Sequence, residues 1–264
     1  MLRATNLNKR FNPGTPIENR VLNDLSLDIP QGQFVTVIGS NGAGKSTFLN
    51  AISGDVLVDT GSIEIDGNDV TLTDTSARAA LVARVFQDPM AGTCENLTIE
   101  ENMALAWRRG DPRGFARSIN SEIREVFRAK LATLALGLEN RLADSIGLLS
   151  GGQRQAISLL MASMKPSSIL LLDEHTAALD PKTAVFILGL TARIVEESKL
   201  TALMVTHSMR QALDMGSRTV MLHEGKVILD VHGSQRQGMR VEDLLHLFEK
   251  TRGEVLDDDK LLLA

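Results

Sequence analysis

The chain has a single cysteine, Cys94, and not one tyrosine. One thiol excludes a disulfide framework and a cysteine-rich zinc site, and it suits a reduced, cytoplasmic setting. Five histidines are scattered without paired metal-ligand spacing. Nowhere do apolar residues run for the ~20 positions that a bilayer span needs. The opening segment Met1-Leu-Arg-Ala-Thr-Asn6 lacks the apolar core of a signal peptide. Any membrane role would therefore be that of a peripheral subunit. A basic excess is missing too: the net charge is −5, which gives no global reason to expect a nucleic-acid partner. What remains is 264 residues, 43% hydrophobic and 23% charged. That is ordinary for a soluble globular protein, and long enough for one large domain or two lobes.

Against this background one segment stands out. Gly39, Ser40, Asn41, Gly42, Ala43, Gly44, Lys45 and Ser46, followed by Thr47, form a complete phosphate-binding loop. Glycines let the backbone take turns closed to side chains and bring N–H groups against phosphate oxygens. Lys45 supplies a point charge for the β- and γ-phosphates, and Ser46 offers a hydroxyl to Mg²⁺. The context agrees: residues 34–38 read as a buried strand, and 46–53 carry Phe48, Leu49 and Ile52 at helical spacing. A strand, a glycine-rich loop and a helix N-terminus together make an anion site. The expected ligand is a nucleoside triphosphate.

Short strands with turn signals open the chain, at Leu2–Leu7 and Val21–Ile29, and Ser62–Asp66 alternates before Gly67. Ala83–Phe86 is a further short apolar run ending at Gln87. From Leu97 to Met164 the pattern is mostly helical, interrupted at 110–114 and around 145–152. Strands return at Ile169–Leu172, Ala202–Thr206 and Thr219–Leu222, the last paired through Glu224-Gly225 with Val227–Asp230. Strands alternating with helices predict a largely parallel sheet. Val241–Arg252 reads as an amphipathic helix, followed by the acidic run 257–259 and an apolar end.

The apolar run 169–172 has the composition of a strand covered on both faces. Asp173 and Glu174 follow at its carboxyl end, where open α/β sheets place their chemistry. Asp173 is expected to hold Mg²⁺ through water, and Glu174 to orient and deprotonate an attacking water. Ser150, Gly151, Gly152 and Gln153 open a later helix, with Ser150 as its cap.

The ordered set of 39–46, Gln87, 149–153, 169–174, Ala178-Leu-Asp180 and His207 resembles the nucleotide-binding domains of ABC ATPases, over nearly the whole chain. The resemblance implies an α/β fold: a P-loop NTPase core with a mainly parallel sheet, an N-terminal antiparallel β-subdomain and an inserted helical lobe. One ABC ATPase domain would fill 1–264, with 1–87 and 166–232 as the ATP-binding core, 88–165 as the helical lobe and 233–264 as a C-terminal helix and tail. It also implies roles. Lys45, Glu174, His207 and Gln87 would be catalytic; Ser46, Gln87 and Asp173 would serve the metal. Ser150, Gly151, Gly152 and Gln153, with Asp180, would act across the seam of a homodimer on nucleotide held by the opposite protomer. The family stacks adenine on an N-terminal aromatic, often tyrosine. Without tyrosine the best candidate is Phe11, which keeps the stacking face; the alternative is Phe11 as a packed core residue. The family commonly has proline after the glutamate, and here stands His175, a titratable ring expected beside Glu174 and the dimer seam.

The functional expectation is an ATP-hydrolysing subunit, with ATP and Mg²⁺ as cofactors, that powers solute import. It would sit on the cytoplasmic face of the membrane against a separate permease, with an extracytoplasmic solute-binding protein in the same system. Residues 88–101 resemble the region that receives the permease's coupling helix. The stretch Asp173–Thr183 looks similar to cassettes of amino-acid importers, including ones proposed for tryptophan and tyrosine. The alternative is an ABC ATPase that drives a non-transport envelope or soluble assembly process.

Overall fold

The chain is described by a computed structural model over residues 1–111, 114 and 118–252. Its strands are Leu2–Phe11 (β1), Asn19–Ile29 (β2), Phe34–Ile38 (β3), Thr60–Ile65 (β4), Asn68–Asp69 (β5), Val82–Val85 (β6), Ile169–Asp173 (β7), Ala202–Val205 (β8), Arg218–His223 (β9) and Lys226–His232 (β10). Its α-helices are Lys45–Ser53 (α1), Thr75–Arg78 (α2), Ile99–Trp107 (α3), Ser121–Ala132 (α4), Gly151–Ser163 (α5), Pro181–Glu197 (α6), Met209–Asp214 (α7) and Val241–Arg252 (α8).

Successive side chains of a strand face opposite sides of its sheet, so an unbroken apolar run fits only where both sides are covered. β7 up to Leu172 and β8 are such runs, and β3 is one but for Thr36, whose hydroxyl donates to Ala212 O. They lie inside a sheet of order β10-β9-β3-β8-β7-β6, parallel throughout except for the β9–β10 hairpin. Along β7, Ile169 and Leu171 face a core shared with α1 and an antiparallel sheet of order β2-β1-β4-β5. Leu170 and Leu172 face the opposite core, shared with α3, α4, α5 and α6. A third cluster covers the β9–β10 edge, where Leu244 and Phe248 of α8 pack with Met209 and Ala212 of α7. The mainly parallel sheet, the antiparallel N-terminal sheet and the helical stretch thus match the expected α/β fold.

Two N-terminal strands differ from their sequence readings. β1 runs on past Leu7 to Phe11, because Asn6 takes a positive φ of 49° and the pairing with β2 shifts register after Ala4, Leu7 and Lys9. Such bulges break the period-two alternation that marks a strand. β4 starts earlier and stops at Ile65, since Asp66 and Gly67 both take positive φ and form the turn into β5. The Glu224-Gly225 hairpin and the helix over 241–252 stand as expected. The acidic run 257–259, the apolar end and residues 112–113 of the 110–114 break lie outside the described residues.

Candidate active site

Strands β3, β8 and β7 are neighbours and end level: Val37 pairs with Val205, and Val205 with Asp173. The residues just beyond their carboxyl ends therefore meet at one edge of the sheet. Those residues are the loop from Gly39, His207 and Glu174. Parallel sheets bind ligands at this edge.

The loop from β3 into α1 has to be glycine-built. Gly39 has φ 151°, and a Cβ there would lie 2.2 Å from the Leu222 carbonyl oxygen. Gly44 caps α1 at φ 98°, where a Cβ would lie 2.6 Å from the Val21 oxygen. Gly44 brings no side chain to cap the helix, whose N-terminus is the positive end of its dipole. Lys45 is buried, and its Nζ donates to Gly39 O at 2.7 Å and Ser40 O at 3.1 Å. The ammonium is thereby held inside the loop. A cavity of about 260 Å³ opens over residues 41–47, with Glu174 and His207 on its wall. Asn19 and Val21 of β2 complete the wall, a contribution that the sequence does not signal because it depends on how the antiparallel sheet docks.

Glu174 takes φ 43°, a left-handed conformation that costs a non-glycine residue about 1–2 kcal/mol. Its N–H donates to Val205 O at 3.0 Å, and its carbonyl accepts from Ala177 N–H at 2.9 Å. His175, unlike proline, places no steric limit on that backbone. His207 Nε2 lies 2.6 Å from Glu174 Oε1, with the carboxylate mostly buried and the ring partly exposed. A carboxylate oriented by an imidazole and facing a phosphate loop has the arrangement of a general base for water.

Other expected site residues lie apart from this cavity. Asp173 does not line it; its Oδ2 accepts from Arg84 Nη2 at 2.7 Å. Gln87 is exposed just after β6. Phe11 is exposed at the end of β1, opposite the cavity residue Asn19, so it is not a packed core residue. Ser150 caps α5 and Gln153 closes a reciprocal capping box with it, but neither they nor Gly151 and Gly152 bound the cavity. Asp180 caps α6, and hydrogen bonds from Thr183 hold its carboxyl below the usual range. The His175 ring is buried within the chain, its Nε2 on Thr191 of α6. Arg84 sits inside the otherwise apolar strand β6; a lone cation within a short buried strand is the signal that marks it.

Among the described residues, no cluster of three or more acidic, histidine or cysteine side chains could hold a metal. The Ser46 hydroxyl in the loop and the Asp173 carboxylate at the end of β7 are donor types that suit a hard cation keeping water and phosphate oxygens as its other ligands. Among the described residues, no helix is long and apolar enough to cross a membrane.

Comparison with known proteins bears on this geometry. A family model described as ABC transporter matches residues 22–177. The tyrosine transport ATP-binding protein of Clostridioides difficile (strain R20291) is 44% identical over 251 residues, covering 94% of this chain and 99% of that protein. The thiamine import ATP-binding protein ThiQ of Shigella flexneri serotype 5b (strain 8401) is 35% identical, over 76% of this chain and 82% of ThiQ. Among solved structures, the dimeric post-hydrolysis state of the ATP-binding cassette MJ0796, bound to ADP and Pi, superposes with a TM-score of 0.75. It is 30% identical and covers 88% of this chain and 98% of that one.

Proposed function

This chain belongs to the ABC transporter family as an ATP-binding, ATP-hydrolysing subunit, and we propose that it powers import of an amino acid or similar small solute through a separate permease. One observation carries the catalytic part: Glu174 and His207, 2.6 Å apart, face the glycine loop across a single cavity. In this reading the loop 39–47 and Lys45 cradle the phosphates, with Phe11 under the adenine. Glu174 takes a proton from water, and His207 steadies the water and the γ-phosphate. Ser46, Gln87 and Asp173 would hold Mg²⁺, which when bound would offset phosphate charge. Ser150, Gly151, Gly152, Gln153 and Asp180 complete the site of a second copy. The division into a core of 1–87 and 166–232, a lobe of 88–165 and a C-terminal helix and tail from 233 belongs to the same reading.

Support for the transport part is twofold. The relative named for tyrosine transport matches this chain over nearly its whole length. A groove of about 260 Å³, lined by Phe86, Gly92 and Ala106 among others, opens beside residues 88–101 and suits a helix of a permease. The chain would then work at the cytoplasmic face of the membrane, in a system with an extracytoplasmic solute-binding protein.

Glu174→Gln is the direct test of the cassette. It should lower hydrolysis by ~10²–10⁴-fold and trap an ATP-bound dimer on gel filtration; a variant that stays monomeric with ATP and Mg²⁺ would sink the dimer. Purification of the tagged chain from detergent-solubilised membranes should bring down a polytopic permease in stoichiometric amount. Recovery with soluble assemblies alone would overturn the transport reading and leave the ATPase standing.

A further inference from the structure

Arg84 of β6 joins two places that the proposed function keeps separate. Its Nη2 donates to Asp173 Oδ2 at 2.7 Å. Its Nη1 donates to Asp55 Oδ2 at 2.7 Å and to Asn50 Oδ1 at 2.8 Å, in and just after the helix that begins at Lys45. The guanidinium carbon lies 4.6 Å from the centre of the Phe86 ring. Asp55, Arg84 and Phe86 all line the groove assigned above to the permease. We propose that Arg84 is a positioning residue that links this groove to Asp173, so that an occupant of the groove alters the carboxylate expected at the metal. The inference rests on the proposed function for the identity of both places.

The physical case begins with the shape of the guanidinium. It is planar and rigid, and its donors are fixed relative to one another. A displacement imposed on Nη1 or on the stacked face therefore reappears at Nη2. Both partners on the groove side, the Asp55 carboxylate and the Phe86 ring, are surfaces that an inserted segment would touch. Arg84 and Asp173 are both mostly buried, with side chains 11% and 13% exposed, so solvent does little to screen the link. A mobile surface pair would transmit nothing.

The groove also carries polar atoms that await partners. Among the described residues, Arg84 Nε, Arg109 Nε and Ser158 Oγ are buried without a hydrogen-bond partner, and all three residues line it. Buried unsatisfied donors are costly and uncommon. A permease segment bearing carbonyl or carboxylate oxygens would satisfy them, and in accepting from Arg84 Nε it would pull on the same guanidinium that holds Asp173. The groove thus favours an acceptor-rich segment over a purely apolar one.

The test uses the whole chain with AMP-PNP and Mn²⁺ as probes. The readout is the ratio of AMP-PNP dissociation constants without and with Mn²⁺, which isolates the contribution of the metal from that of the phosphate loop. Arg84→Met and Arg84→Lys should each reduce this ratio about tenfold, with metal-free AMP-PNP binding unchanged. The lysine variant keeps the charge and guards against a folding failure. Phe86→Leu should reduce the ratio about twofold to threefold in the Arg84 chain, yet have no effect in the Arg84→Met chain, as a double-mutant cycle requires. An unchanged or larger ratio in both Arg84 variants would overturn the proposal, as would a Phe86 effect that persists without Arg84. Absence of AMP-PNP binding to the unmodified chain, with or without metal, would overturn the proposed function itself.

Discussion

At the scale of single residues, His175 shows how little chain adjacency says about where a side chain goes. It follows Glu174 directly, yet its ring is 2% exposed and its Nε2 lies 2.9 Å from Thr191 Oγ1. Thr191 gives its hydroxyl proton to Ile187 O at 2.8 Å, so its oxygen accepts from His175, which selects the Nε2–H tautomer. Burial pushes the imidazole pKa down to about 4. The unfolded chain, near the ordinary value of about 6.5, takes up a proton that the folded chain refuses. The contribution of His175 to stability is therefore full above about pH 6.5 and is lost as pH falls towards 4, to a total of about 3 kcal/mol. His175→Phe keeps the ring and removes the titration. It should cost about 1 kcal/mol at pH 7, through the unpaired Thr191 oxygen, and flatten the fall of the urea midpoint between pH 6.5 and 4.5. A midpoint that falls as steeply in the variant would refute the assignment. The same burial removes His175 from the chemistry: the pH–rate profile of His175→Phe should overlie that of the unmodified chain around neutral pH.

Between elements, the decisive contacts are ones that no local pattern reports. The start of α5 was legible because its determinants are local: Ser150 Oγ accepts from Gln153 N–H at 3.3 Å, and Gln153 Oε1 accepts from Ser150 N–H at 3.2 Å. The same holds for the glycine loop and for the apolar run of β7, where residue type and backbone demand coincide. What α5 packs against was not legible. A Cβ on Gly152 would lie 2.3 Å from Thr183 Cγ2, in the first turn of α6. Gly152→Ala should therefore lower the melting temperature by the equivalent of about 1–3 kcal/mol, and adding Thr183→Ser, which deletes that methyl group, should restore most of the loss. An unaltered melt for Gly152→Ala would mean that the two helices part without cost. The misread end of β1 and the hidden Arg84 have the same origin. Bulges are stabilised by the neighbouring strand, and a cation is tolerated in β6 because Asp55, Asn50 and Asp173 arrive from elsewhere in the fold.

In the whole molecule, the glycine loop and the start of α5 are parts of one expected site that a single chain does not bring together. Lys45, Ser46, Glu174 and His207 share a cavity, whereas Ser150 to Gln153 begin a helix that does not bound it. A two-fold pairing would solve this, because it places the same patch of each copy against the complementary patch of the other. The arrangement makes a quantitative prediction for mixtures. Lys45→Ala removes the phosphate charge and Ser150→Phe blocks the start of α5, so either variant alone forms dimers with two defective sites. In an equal mixture, half of randomly formed dimers are mixed, and each of those pairs the intact loop of one chain with the intact α5 start of the other. Hydrolysis should then recover to about a quarter of the unmodified rate per chain, and it should fall on dilution as the dimer dissociates. A mixture as inactive as its components, at concentrations where Glu174→Gln dimerises with ATP, would show that each site is built within one chain.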